Sequence, residues 1–209
     1  MVSPFLFFAD ERLSLAELSA ACLDGVLVPL GEGFMPADAA ETPWMRARSL
    51  APLLAERWAA VRCSAAWIHG ALAQEPSPHH LQRAGATRIR ARSDARSVYH
   101  DVRLDPGDVC TMAGVHITTP PRTLVDLARS DDEGDLALAR SWAAADPLTK
   151  RSAEAWLAQH PRFPYAKRAG AVLSATAALL ADGRLGRGAA TAPGVKSSRV
   201  DARRAPRTA

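Results

Sequence analysis

The 209 residues carry a formal charge of +4, with 48% hydrophobic, 23% charged and 6% aromatic side chains. That balance suits one or two small globular domains and excludes a fibre or a membrane pore. Ala alone supplies 43 residues, so small cores and helices built on Ala are expected.

No apolar run approaches the ~18 residues of a membrane span, and Phe5 to Ala9 is too short, and lacks the basic flank, for a secretion signal. A cytoplasmic protein with no membrane partner is the expectation. Cys22, Cys63 and Cys110 are widely spaced and odd in number, which fits neither a disulfide framework nor a zinc knuckle. They read as small core residues. The charge is uneven: residues 1–60 sum to −4, 61–130 to +3, 131–182 to −1 and 183–209 to +6. With 23 Arg, 3 Lys and no Asn, the composition resembles that of a GC-rich genome, so abundant Arg is weak evidence for nucleic-acid binding.

The first part spans residues 1–36. Ser14 followed by Glu17 has capping-box spacing and opens a helix whose Leu15, Leu18 and Cys22 share a face. Asp24-Gly25 ends it. Val26 to Leu30 is a short strand, Gly31-Glu32-Gly33 a tight turn and Phe34-Met35 the returning strand. Helix then hairpin is the order of a recognition helix and its wing, although any small α+β domain can contain it.

The second part, residues 37–182, alternates helices and strands. Thr42-Pro43 opens a helix with Trp44, Met45 and Leu50, and Pro52 kinks it or begins another carrying Leu53, Leu54 and Trp58. Ser64 caps a further helix that buries Trp67 and Ile68 and is weakened at Gly70. After Pro76-Ser77-Pro78, Ala86 to Arg92 pairs with Ser97 to Leu104, and Val109 to Met112 with Val115 to Thr118, giving two antiparallel hairpins. Thr119 caps the next helix, whose first turn tolerates Pro120 and Pro121 because its N–H groups have no intrahelical partners. Helices over 134–145, 150–159 and 165–182 follow, with Trp142, Trp156, Leu173 and Leu180 as buried candidates and Gly183 as the stop. Residues 183–209, rich in Gly, Pro, Ser and Arg, are expected to form a disordered basic tail. The predicted fold class is α+β, a short winged-helix-like element followed by antiparallel hairpins and helices.

No phosphate-binding loop, dinucleotide fingerprint, HExxH, GxSxG or CxxC occurs, so neither a catalytic site nor a cofactor is expected. The six histidines read as surface or core residues, not metal ligands. A magnesium nuclease would need an acid and a lysine together on a strand, and Lys150, Lys167 and Lys196 are not so placed. Arg88, Arg90 and Arg92 share one face of the predicted strand, with Arg96 and Arg103 nearby. They are either solvated, paired with Asp94 and Asp101, or aimed at an acidic partner. Arg122 and Asp126, at i and i+4, read as a structural pair that orients their helix against the sheet.

Three stretches together resemble the AbiEi antitoxins of type IV toxin-antitoxin systems: LAELSAACLDGVLVPLGEGFMP (15–36), SAAWIHGAL (64–72) and GVHITTPPRTLVDLAR (114–129). The last is the most specific, through Thr119, Pro120, Arg122, Thr123 and Asp126. The resemblance implies an N-terminal winged helix joined to an antitoxin domain, DNA binding that represses the chain's own operon, and a nucleotidyltransferase toxin as partner. For DNA it implies Ser14, Glu17 and Ser19 on the recognition helix and the wing at 31–33; Arg88, Arg90 and Arg92 are added from their charge. The sequence departs from the pattern in two ways. Too little chain precedes Ser14 for the earlier helices, and Asp10, Glu11, Glu17, Asp24 and Glu32 would repel phosphates. A degenerate winged helix is therefore expected, and a protein-interaction module that has lost DNA recognition is the alternative.

Overall fold

A computed structural model describes residues 5–10, 12–54, 57–85 and 95–181. The strand read over 86–92, with Arg88, Arg90 and Arg92, and the tail at 183–209 lie outside the described residues.

Helix α1 (Leu15–Leu23) begins with the expected capping box: Glu17 N–H donates to Ser14 Oγ at 3.3 Å, and Ser14 N–H donates to the Glu17 carboxylate at 2.8 Å. Asp24 and Gly25, at φ +74°, close it. Its predicted apolar face is barely used, since Leu18 is buried but Leu15 is 61% exposed. Strands β1 (Leu27–Leu30) and β2 (Gly33–Pro36) form the expected hairpin, and Phe7 adds a bridge to Phe34 on its outer side.

Helix α2 (Pro43–Ser49) is capped by Thr42 Oγ1, with Pro43 in the first turn. The short α3 (Ala51–Leu54) follows, but Trp58 is not on it. Trp58 instead opens β3 (Trp58–Ala60), a fully buried strand. Three residues with no alternation give a periodicity test nothing to detect. Helix α4 (Arg62–Ile68) is capped at Val61, not Ser64, and Ser64 lies buried inside it.

A second correction concerns the sheet. Strand β4 (His79–Arg83) starts directly after Pro76-Ser77-Pro78, where no strand was expected, and β5 (Ser97–His100) runs parallel to it, with Leu81 opposite Tyr99. Strands β6 (Val109–Met112) and β7 (Val115–Thr118) make the second hairpin as expected, turning at Ala113 (φ +54°) and Gly114 (φ +82°). The mixed sheet has the order β5-β4-β3-β7-β6, with β3 antiparallel to β4 and parallel to β7. Helices α5 (Pro120–Ala128), α6 (Glu133–Ala145), α7 (Pro147–Gln159) and α8 (Ala166–Ala181) complete the described chain. No described helix is long and apolar enough to cross a membrane.

Two cores meet at α4. Ala65, Trp67 and Ile68 join Leu30, Met35, Leu50, Leu81 and Ile117 in a core shared by the N-terminal hairpin, α2 and one sheet face. Ala66 joins Leu124, Leu127, Trp142 and Leu173 in a helical core built around α5. Every residue of α5 from Arg122 to Ala128 is buried, so this helix is the pivot of the second core.

Candidate functional site

The motif from Thr119 to Asp126 lies where β7 runs into α5. Thr119 holds the N-cap position, but its side chain makes no cap bond. Thr123 ties the helix start back to β7 instead, its Oγ1 donating to the carbonyls Thr118 O at 3.1 Å and Thr119 O at 2.9 Å. Thr123 Oγ1 also shares a 2.7 Å hydrogen bond with Thr118 Oγ1. Pro120 occupies the first turn without loss of a helical hydrogen bond. The helix start is tied from the other side by Thr119 N–H, which donates to Asp108 O at 2.8 Å.

Arg122, 5% exposed, sits inside alternating charges. Its Nε donates to Asp126 at 3.0 Å, as the spacing implied, and Nη1 donates to Asp108. Asp126 also accepts from Arg129 Nε at 2.8 Å, and Asp108 from the Trp156 indole at 2.7 Å. The guanidinium lies 5.3 Å from the Trp156 ring centre and 4.8 Å from that of Phe163. Two cations balance two carboxylates, which is what allows so many charges beneath the surface. Asp108, Phe163 and Arg129 were not singled out as partners of Arg122, and Trp156 was expected only as a buried residue, because they come from a 3-10 turn, the α7–α8 connection, the end of α5 and α7.

The predicted wing is held by α2 and by the segments that lead into β4 and β5. Gly31 N–H donates to Glu75 at 2.9 Å, Glu32 N–H to Ser49 O at 3.1 Å, and the Glu32 carboxylate pairs with Arg96 at 3.1 Å. Burial pushes the Glu75 carboxyl upward, but the hydrogen bonds from His79 and Gly31 outweigh it and leave it below the ordinary range. Ser19 is exposed on α1, while Ser14 and Glu17 are engaged with each other in the cap.

Glu75, His79 and Ser64 form a line: His79 Nε2 is 3.0 Å from Glu75 Oε1 and its Nδ1 3.3 Å from Ser64 Oγ. The order imitates a hydrolytic triad, but Ser64 has no exposed surface and its Oγ already accepts from His80 N–H at 2.9 Å. No substrate carbonyl can approach it, so the line is a brace between α4 and β4. On the neighbouring strands His80 Nδ1 is 3.1 Å from His100 Nε2, with the rings stacked. Burial, and then the positive charge His80 would bring, hold His100 down at about 4.

Arg62 takes a left-handed conformation, φ +51°, at the turn from β3 into α4. Its Nη2 reaches Ser130 Oγ at 2.5 Å and Asp135 at 2.6 Å, which joins the start of α4 to the α5–α6 connection and to α6. Among the described residues no group of three or more His, Cys, Asp or Glu could hold a metal ion. The three cysteines are free and half-buried, and burial, followed by the charge of Asp135, lifts the Cys63 thiol to about 11.

The AbiEi antitoxin C-terminal domain family matches residues 58–174, from the first residue of β3 into α8 and more than half of the chain. No curated protein matches it.

Proposed function

The chain belongs to the AbiEi antitoxin family, and from that premise we propose that it is a non-catalytic antitoxin and transcriptional regulator of a type IV toxin-antitoxin system. It counters a nucleotidyltransferase toxin and binds the DNA of its own operon. The observation that carries the reading is that the matched span covers both the β7–α5 motif and the helices packed on it. In this reading residues 1–36 are a degenerate winged-helix element, 37–182 the antitoxin domain and 183–209 a basic tail. Ser14, Glu17, Ser19, Arg88, Arg90 and Arg92 are the proposed DNA contacts. Thr119, Pro120, Arg122, Thr123 and Asp126 position α5.

Co-expression with the nucleotidyltransferase-like product of an adjacent gene tests the antitoxin half. Rescue of growth supports it, and unrelieved toxicity at matched expression removes it. A mobility-shift assay with the upstream DNA tests the repressor half, which fails if that DNA is bound no better than random duplex.

A second reading, a protein-interaction module of the same family without DNA binding, draws support from the wing. Gly31 and Glu32 spend their polar groups on Glu75, Ser49 and Arg96, and α1 carries Glu17 and no Lys or Arg where phosphate contacts need cations. Growth rescue without a DNA shift would select it.

A further inference from the structure

Helix α1 leaves most of its surface unpartnered. Leu18 is its buried residue, while Leu15 is 61% exposed and Leu23 90%. Leu15, Ser19 and Leu23 follow one another at i, i+4 and i+8 and so form one stripe along the helix. Val26, 61% exposed, is tied to the last turn by its N–H, which donates to Ala21 O at 2.9 Å, and Val28 is exposed two positions further on. Apolar side chains grouped in this way beside polar ones mark an interaction surface.

Charge selects what can cover it. Residues 1–36 hold Asp10, Glu11, Glu17, Asp24 and Glu32 against Arg12 alone, so the whole −4 of residues 1–60 resides there. Glu32 is matched by Arg96, but Glu17 and Asp24 form no ion pair among the described residues. Asp24 follows Leu23 at the carboxyl end of α1, whose last turn carries no basic residue. There its charge adds to the negative end of the helix dipole, so a cation is what this end lacks. A second copy would bring the same carboxylates and be repelled, as would a phosphate backbone.

The chain itself carries a segment of the required chemistry. Residues 183–209 have seven basic groups and one acid, for +6. Each bulky apolar residue among them adjoins a base: Leu185 follows Arg184, Val195 precedes Lys196 and Val200 follows Arg199. Leu23 beside Asp24 is the same arrangement with the sign reversed. Fully extended, residues 183–209 can cover about 90 Å, against a radius of gyration of about 16 Å for a folded body of about 180 residues, so the face is within their reach. Being covalently joined to it, they meet it at a high effective concentration.

We propose that residues 183–209 dock on the α1 face of their own molecule, with bases against Glu17 and Asp24 and Leu or Val side chains against Leu15, Leu23 and Val26. The docked segment covers the N-terminal element and withholds its cations from other anions, so this face and any outside polyanion compete for it. The proposal goes beyond the antitoxin reading and needs neither a toxin nor an operator.

Backbone amide signals of the full ¹⁵N-labelled chain report on both sides of the contact. One variant, Lys196→Gln with Arg199→Gln, Arg203→Gln and Arg204→Gln, removes charge from the segment; the other, Leu23→Ser with Asp24→Asn, changes two exposed positions of the face. The expected result is reciprocal: the first moves the signals of Leu15, Leu23 and Val26, the second those of Val195 and Val200, and those of α5 stay in place in both. Salt at about 1 M, where the screening length is about 3 Å, should move both sets in the unmodified chain. Silence on either side overturns the proposal. So do equal shifts at the acidic start of α6, which would mean screening without a site, and shifts that change on about tenfold dilution, which would put a second copy on the face. The salt series on the unmodified chain decides should either variant misfold.

Discussion

Arg122 holds two buried carboxylates from different elements at once, Asp108 and Asp126. Truncating it to Ala strands Asp108 and Asp126 beneath the surface, and removing one member of a buried ion pair costs about 3–5 kcal/mol. Arg129 still serves Asp126, so the lower half of that range is expected, read by urea denaturation. Arg122→Met combined with Asp108→Asn should regain part of the loss, because the strongest uncompensated charge is removed along with its partner. If the single and double variants unfold at the same urea concentration, the Arg122–Asp108 pairing is not where the stability resides. Ala113 offers the opposite sign. At φ +54° its Cβ is strained in a two-residue hairpin turn, and Ala113→Gly should stabilise by about 1 kcal/mol, visible as a higher Tm.

Two elements depend on polar contacts made at their ends. The β1–β2 turn is fixed by Gly31, whose φ is +56° and where an added Cβ would stand only 2.8 Å from Ser49 Cβ, leaving no room for a side chain. Gly31→Ala should therefore destabilise the chain by about 1–3 kcal/mol and loosen the Glu75 contact, measured by denaturation and by amide exchange at residue 31, whose N–H donates to Glu75. The parallel pair β4–β5 carries His80 against His100. With the folded value of His100 near 4 and an ordinary value of 6.5, this group's contribution is complete above pH 6.5. It is lost as acid is added down to about 4, with no further loss below. His100→Gln should flatten the dependence of the urea midpoint on pH within that window. An unchanged slope would place the titration on another group.

The same elements explain what could be read from the residues alone. Ser14 with Glu17, Thr42 with Pro43, and the β6–β7 turn were legible because caps and turns are local chemistry. Arg122 with Asp126 was legible because i,i+4 spacing is local too. Strands β3 and β4 were not: buried on both faces or placed just after a proline cluster, they carry no alternation, and their pairing is settled by residues far away in the chain. The contacts of Arg122 with Asp108 and with Trp156 were missed for the same reason, these residues being 14 and 34 positions from Arg122 and joined to it only by the fold.

For the molecule as a whole, charge distribution is the quantity that separates the two functional readings. The chain is +4, but residues 183–209 contribute +6, so deleting them leaves −2. Each phosphate contact made by Lys or Arg adds about 0.9 to the slope of log affinity against log salt on duplex DNA. If the tail contributes to DNA binding, its seven basic residues bound the loss of slope on deletion at about 6. Phosphate contacts position a protein without reading sequence. The ratio of operator to random-duplex affinity should therefore survive the deletion while absolute affinity falls, both measured by fluorescence anisotropy across a salt series. An unchanged slope would show that the tail makes no phosphate contacts. A collapsed ratio would show that the tail contributes to sequence readout.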